Sequence, residues 1–212
     1  MILLIAVTLL ILFGVLQRVL DRMALTDKQA IICIAAIFIG GWLPDITLGM
    51  VTVNIGGALI PFVVCVYLFF HAGSGKEKLR CLAAAALTTA SIYAISMFFP
   101  ADPVTMPFDP MILYGMAAGA IAWLLGRSRR SAFIAGVLGV IFADIIVAII
   151  NWRSGINQAL HLGSAGAFDA AVLSGLTGVL LCELIGEILE RISTGKANAH
   201  HEDGAIKGGQ RV

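Results

Sequence analysis

Charge is scarce in this chain. Asp, Glu, Lys and Arg make up 13% of its 212 residues, against ~25% in soluble domains. Hydrophobic residues make up 59%, and the mean hydropathy is +0.97. A soluble globule of this length cannot hide that much apolar surface, so the composition reads as a polytopic membrane protein whose first partner is the lipid bilayer. Charge imbalance is also missing. Fourteen basic residues against 13 acidic ones leave a net charge of +1, which gives no long-range field and excludes a nucleic-acid partner. Cysteine occurs four times, as Cys33, Cys65, Cys81 and Cys182, always within or beside an apolar run and never in a CxxC spacing. That argues against a disulfide framework or a zinc site and for four small buried hydrophobes. No metal and no cofactor is expected, and His200-His201-Glu202-Asp203 read as an exposed polar tail. Proline is sparse within the apolar runs. Pro100, Pro103, Pro107 and Pro110 crowd one linker, Pro44 sits in another, and only Pro61 interrupts an apolar segment.

What is present is a series of seven apolar segments, at about residues 2–16, 30–43, 51–70, 81–99, 111–125, 132–150 and 168–189. Most approach the ~20 residues that a helix needs to cross ~30 Å of hydrocarbon. Basic residues follow every second segment: Arg18, Arg22 and Lys28; Lys76, Lys78 and Arg80; Arg127, Arg129 and Arg130; Arg191, Lys196, Lys207 and Arg211. The alternate loops hold only Arg153, so 13 of the 14 basic residues fall on one side. The positive-inside rule then predicts seven crossings, with the N-terminus outside and the C-terminus in the cytoplasm. The first segment has no Lys or Arg before it and no small-residue cleavage site after it, and reads as a retained anchor. The expected fold is an all-α membrane protein: a seven-helix transmembrane domain over residues 1–191, then a disordered cytoplasmic tail over 192–212, polar and glycine-rich.

Ionisable residues within apolar segments are functional candidates, because each costs about 2.5–3.5 kcal/mol at a helix centre on the mildest scale. Asp144 stands in Phe142-Ala143-Asp144-Ile145-Ile146, roughly 20 Å along the sixth helix from Ser131 and so in the outer half of the membrane. Asp169 opens the seventh segment, also toward the outside, after a run holding Gly163 and Gly166. It admits two readings: a helix N-terminal acid favoured by the macrodipole, or the partner of Asp144 across two antiparallel helices. Glu183, Glu187 and Glu190 share one face near the inner end, where Arg191 and the basic loops can pair them. His161 reads as a surface histidine or a proton relay. Segment three is unusual in another way. Val51-Thr52-Val53-Asn54-Ile55 alternates like a strand, and Gly56, Gly57 and Pro61 follow. This predicts a broken, partly extended start to that segment, covered by protein or lining a cavity. Small-residue stripes, Ala132-Gly136-Gly139-Ala143 and Ala171-Gly175-Gly178-Cys182, read as helix-packing faces.

At these residues the chain resembles an uncharacterised family of prokaryotic multi-pass membrane proteins, a domain of unknown function. The resemblance lies in Leu16-Gln17-Arg18-Val19-Leu20-Asp21-Arg22, residues 51–61, Phe142-Ala143-Asp144 and residues 163–169. It covers most of the membrane part, implies a prokaryotic plasma membrane and brings no activity with it. More remotely, the layout is similar to the GxGD intramembrane aspartyl proteases, the presenilin and signal-peptide-peptidase class. Those carry one Asp on each of two adjacent helices, the second after a glycine-rich motif, beside a Pro-Ala-Leu element. Asp144, Gly166 with Asp169, and Ala58-Leu59 are the matching positions. The chain departs from the pattern: no Tyr precedes Asp144, Asp169 stands three residues after Gly166, and Pro61 follows Ala-Leu instead of preceding it.

The leading expectation is an intramembrane aspartyl protease with a two-aspartate site in the outer half of the membrane, and a transporter and a non-catalytic assembly protein are the alternatives. An aspartyl protease would use Asp144 and Asp169 as catalytic acid and base, because two apposed carboxylates cannot both ionise cheaply. Its transmembrane helical substrate would unwind against Asn54, Gly56, Gly57, Ala58, Leu59 and Gly166, by strand addition. A transporter of 3+1+3 plan would instead bind a small solute, with the two acids holding a proton or cation. In that plan Gly57-Ala58-Leu59-Ile60 and Gly166-Ala167-Phe168-Asp169 occupy corresponding places. A non-catalytic assembly protein would use the acids only to fix helix pairing. A homo-oligomer is compatible with all three.

Overall fold

The computed structural model describes Gly14 and residues 27–98, 110–126 and 128–208, with side chains described as far as Glu190. Gly14 aside, the first apolar segment lies outside the described residues, as does the linker at 99–109, so six of the seven expected segments are described. Six α-helices are described: α1 Asp27–Gly40, α2 Ile60–Phe70, α3 Gly75–Phe98, α4 Pro110–Gly126, α5 Arg129–Arg153 and α6 Ala170–Gly208. Among the described residues three stretches are long and apolar enough to cross a membrane, Gly75–Phe98, Arg129–Arg153 and Ala170–Glu190. This fits a membrane protein. α1, α2 and α4 are shorter, their apolar stretches being Ile31–Gly40, Ile55–Phe70 and Ile112–Leu125. The α6 backbone stays helical through the polar tail as far as Gly208.

The all-α expectation needs one correction. A three-stranded sheet, β1 Ile46–Leu48, β2 Val51–Val53 and β3 Leu160–Leu162, closes one end of the bundle. β1 and β2 form an antiparallel hairpin in which Leu48 faces Val51. Its two-residue turn is Gly49-Met50, and Gly49 has a φ of +63°, which a glycine adopts without a Cβ clash. β2 then pairs in parallel with β3, Val51 opposite Leu160 and Val53 opposite Leu162. The alternation at 51–55 therefore becomes a strand, as its period of two requires. The chain does not stay extended to Gly57, however. Ile55–Leu59 form a single π-helical turn, capped by Asn54, that runs into α2. Pro61 stands in the first turn of α2, directly after this π-turn, so the proline and the irregular turn lie side by side in one continuous helical stretch.

α3 begins with a reciprocal cap: Ser74 Oγ accepts the Glu77 N–H at 3.2 Å, and Glu77 Oε2 accepts the Gly73 N–H at 3.1 Å. α5 begins on Ser128, whose side chain accepts from the Ser131 N–H. α5 is the axis of the bundle, packed by α2, α3, α4 and α6, and Ala132, Phe133, Ile134, Ala135 and Val137 are all buried. The small-residue stripes set its contact with α6. A Cβ on Gly136 would lie 2.6 Å from the Ser174 carbonyl oxygen and 2.7 Å from Gly175 Cα, so the two backbones touch there.

The bundle has two unlike ends. At one, the starts of α3 and α5 bring Lys78, Arg129 and Arg130 beside the end of α2. Arg130 Nη1 donates to the His71 carbonyl at 3.3 Å, and Arg129 faces Glu183 at 4.0 Å. The sheet occupies the other end.

Candidate functional site

The site is built on one face of α5 near the sheet end. Asp144, Val147, Ala148 and Asn151 recur at i, i+3, i+4 and i+7, so they project together. They line a cavity of about 420 Å³. Ile92 and Ser96 of α3 and Tyr114 of α4 form two further walls, and the approach to β3, with Gln158 and His161, forms the last. Asp144 is exposed into this space. It lies about 22 Å along α5 from its basic end, in the half nearer the sheet. The final wall is pinned to α5 by side-chain bonds. Asn151 Nδ2 donates to Gln158 Oε1 at 3.1 Å, and Trp152 Nε1 donates to the Gln158 carbonyl at 2.8 Å. Among the described residues Asp144 is the single acid that lines the cavity, and no Lys or Arg lines it.

Asp169 sits differently. Its backbone is extended, its carbonyl accepts the Leu173 N–H at 2.9 Å, and its Oδ1 accepts the Ala171 N–H at 3.0 Å. Its Oδ2 lies 3.4 Å from the Ala165 nitrogen, which donates to it. These are the bonds of a helix N-cap, so Asp169 ends the 3₁₀ turn Gly166–Phe168 and starts α6. It is not among the residues lining the cavity.

The remaining candidates gather in a tightly packed knot beside the sheet. Asn54 is buried, and all of its polar groups near the turn are engaged. Its Oδ1 accepts the Gly57 N–H at 2.9 Å, its Nδ2 donates to Asp45 Oδ1 at 2.7 Å, and its backbone N–H donates to Leu162 O at 2.9 Å. Gly56, Gly57 and Ala58 are buried, while Leu59 is exposed. The π-turn packs directly on the segment leading into α6: a Cβ on Gly57 would collide with the Gly163 carbonyl oxygen. Gly166, at a φ of +58°, lies against Gly41 at the end of α1. β2 is the middle strand, paired on both sides, so the unpaired edges of the sheet belong to β1 and β3.

Sequence reasoning singled out Asp144, Asp169 and the Asn54–Leu59 stretch but passed over Asn151, Ser96, Tyr114, Gln158 and Asp45. For Asn151 the signal was available, since it is seven residues from Asp144 on the same helical face. Ser96, Tyr114 and Gln158 join the site only through tertiary packing. Among the described residues no group of three or more His, Cys, Asp or Glu is placed to hold a metal ion. The four cysteines are free, with Cys65, Cys81 and Cys182 buried.

The family described as Protein of unknown function (DUF1614) matches residues 42–181. The match spans more than half of the chain and includes the sheet, the π-turn, α5 and the start of α6, so the chain belongs to that family. No curated protein and no solved structure matches it.

Proposed function

We propose that this chain is a small membrane transport protein that binds its solute or coupling cation in the sheet-end cavity, with Asp144 as the charged group. The single observation that carries this reading is the pairing of interrupted helix starts. The π-turn before α2 and the 3₁₀ turn before α6 stand at corresponding places in the chain and pack against each other beside the cavity wall. Discontinuous helices meeting at a binding site are the architecture by which secondary transporters expose backbone groups inside a membrane. An acid exposed at that depth is expensive unless it faces water, a partner or a cargo, and Asp144 faces a cavity. The proposed topology is seven crossings, N-terminus outside and C-terminus in the cytoplasm, in the plasma membrane of a prokaryote. Thirteen of the 14 basic residues support that orientation.

A second reading, the aspartyl protease, rests on the placement of Asp144 on α5 and Asp169 at the start of α6, two helices that pack against each other. It requires both carboxylates to reach one water, and the two oxygens of Asp169 already accept backbone N–H groups. One experiment separates the readings. Purified protein in liposomes is assayed for proton- or sodium-dependent flux and, in parallel, for cleavage of a helical transmembrane peptide. The transport reading expects flux that Asp144→Asn abolishes and no cleavage at any time. Cleavage abolished by either Asp144→Asn or Asp169→Asn favours the protease. Flux equal to wild type in Asp144→Asn, with no cleavage by any form, refutes both.

A further inference from the structure

The lining of the cavity defines the kind of cargo it accepts. We infer that it takes a small organic cation, a protonated amine or a quaternary ammonium carrying a short apolar group. This inference rests on the transport reading and names the substrate class of the same site.

Charge is the first discriminator. Among the described residues that line the space, Asp144 is the one carboxylate and His161 the one imidazole, with no Lys or Arg beside them, so a fixed positive charge that would hold an anion is missing from that set. The hydrogen-bond arrangement is the second. Ser96 Oγ spends its proton on the Tyr93 carbonyl at 2.8 Å, and Asn151 spends a donor on Gln158 Oε1. Ser96 Oγ and the Asn151 side-chain oxygen, Oδ1, keep lone pairs, which suit an ammonium N–H. The remaining walls are the third discriminator. Ile92, Val147, Ala148 and Leu160 are apolar, and Tyr114 adds an aromatic ring, a combination that holds an alkylammonium by its stem and its charge together. A bare divalent cation wants six or more oxygen ligands, and a cavity with one carboxylate and largely apolar walls does not provide them. The volume of about 420 Å³ lies in the range of small-molecule pockets and exceeds what a desolvated inorganic ion would fill.

The test uses the full chain in lipid nanodiscs and isothermal titration with four probes: n-butylammonium, tetramethylammonium, n-butanol and butyrate. The two ammonium ions are expected to bind at least about tenfold more tightly than n-butanol, the neutral isostere of n-butylammonium, and butyrate is expected not to bind. Asp144→Asn should weaken n-butylammonium by about tenfold or more while leaving n-butanol within about twofold. Asp144→Glu should retain most of the ammonium affinity, which separates lost charge from lost fold. Tyr114→Leu should weaken tetramethylammonium, which has no N–H to donate, more than it weakens n-butylammonium. Equal binding of ammonium, alcohol and carboxylate overturns the inference, as does ammonium binding that Asp144→Asn leaves unchanged. So does the absence of ammonium binding to the wild-type protein. If no amine binds while sodium or proton flux still depends on Asp144, the cargo class fails and the transport reading stands. If flux is indifferent to Asp144, the transport reading fails on its own evidence.

Discussion

Replacing Gly136 by Ala tests whether close backbone contact between α5 and α6 holds the bundle together. In an exposed helix the exchange would stabilise by about 1 kcal/mol, because Ala restricts the unfolded chain and favours the helix. At Gly136 the new Cβ would stand 2.6 Å from the Ser174 carbonyl oxygen and 2.7 Å from Gly175 N and Cα, all of them backbone atoms. Ordinary contact begins near 3.4 Å, so the two helices must part by about 0.8 Å at that crossing. Neither backbone can swing aside as a flexible side chain would. Overpacking of this kind costs about 1–3 kcal/mol, which outweighs the propensity gain, and packing is the main attraction between helices in lipid. Gly186, on α6 beyond the contact, is the internal control, since a Cβ there meets nothing within 4 Å. Reversible unfolding in mixed micelles, followed by circular dichroism, should therefore give opposite signs. Gly136→Ala should unfold at lower denaturant than wild type and Gly186→Ala at equal or higher denaturant. A Gly136→Ala protein as stable as Gly186→Ala would refute the close-contact argument and the helix arrangement that produces it.

Three further outcomes follow from other residues. Asn54→Ala leaves the buried Gly57 N–H without its acceptor, a loss of about 1–3 kcal/mol, readable as a lower melting temperature and faster amide exchange across residues 54–60. Asp169→Ala should destabilise the start of α6 by about 0.5–2 kcal/mol, and Asp169→Ser should recover most of it, because serine also caps; equal stability of all three forms would show that the Ala171 bond is not holding the helix start. A reporter fused after Val212 should register in the cytoplasm, and an external signal there would overturn the proposed orientation.

Much of the helical layout was legible in the sequence because an apolar run of membrane length has few alternatives: six of the seven segments correspond to α-helices among the described residues. Local chemistry also read correctly where it was strictly local. The period of two at Val51–Val53 is a strand, and the small-residue faces are packing faces. The sheet itself was not legible. β3 is three residues long, and its sequence, Leu160-His161-Leu162, looks like any loop between two helices. Only parallel pairing with β2, more than a hundred positions earlier in the chain, makes it a strand. Likewise Pro61 marked an interruption without showing its form, because a linear reading cannot tell a break from a π-helical turn that runs on into a helix. The structure places that turn directly before α2.

The two acids diverge for the same physical reason. Both were picked out by the rarity of charge in an apolar run, and rarity alone cannot separate a group satisfied by its own helix from one that needs an external partner. Asp169 precedes the first turn of α6, where unpaired N–H groups are always available. Two of the nearby backbone donors, from Ala165 and Ala171, meet its carboxylate. Asp144 lies in the middle of α5, where every backbone N–H is already committed to the helix. Its carboxylate has no such local donor and opens instead on a space shared with α3, α4 and the β3 approach. The fold supports this placement from the other side. The tightly packed glycines at 57 and 163 and the buried Asn54 cap satisfy the irregular backbone beside the cavity, so that irregularity is anchored by protein and does not depend on the acid. Asp144 is therefore the residue whose position the fold's own bonding explains least, and the proposed cationic cargo would supply what is missing.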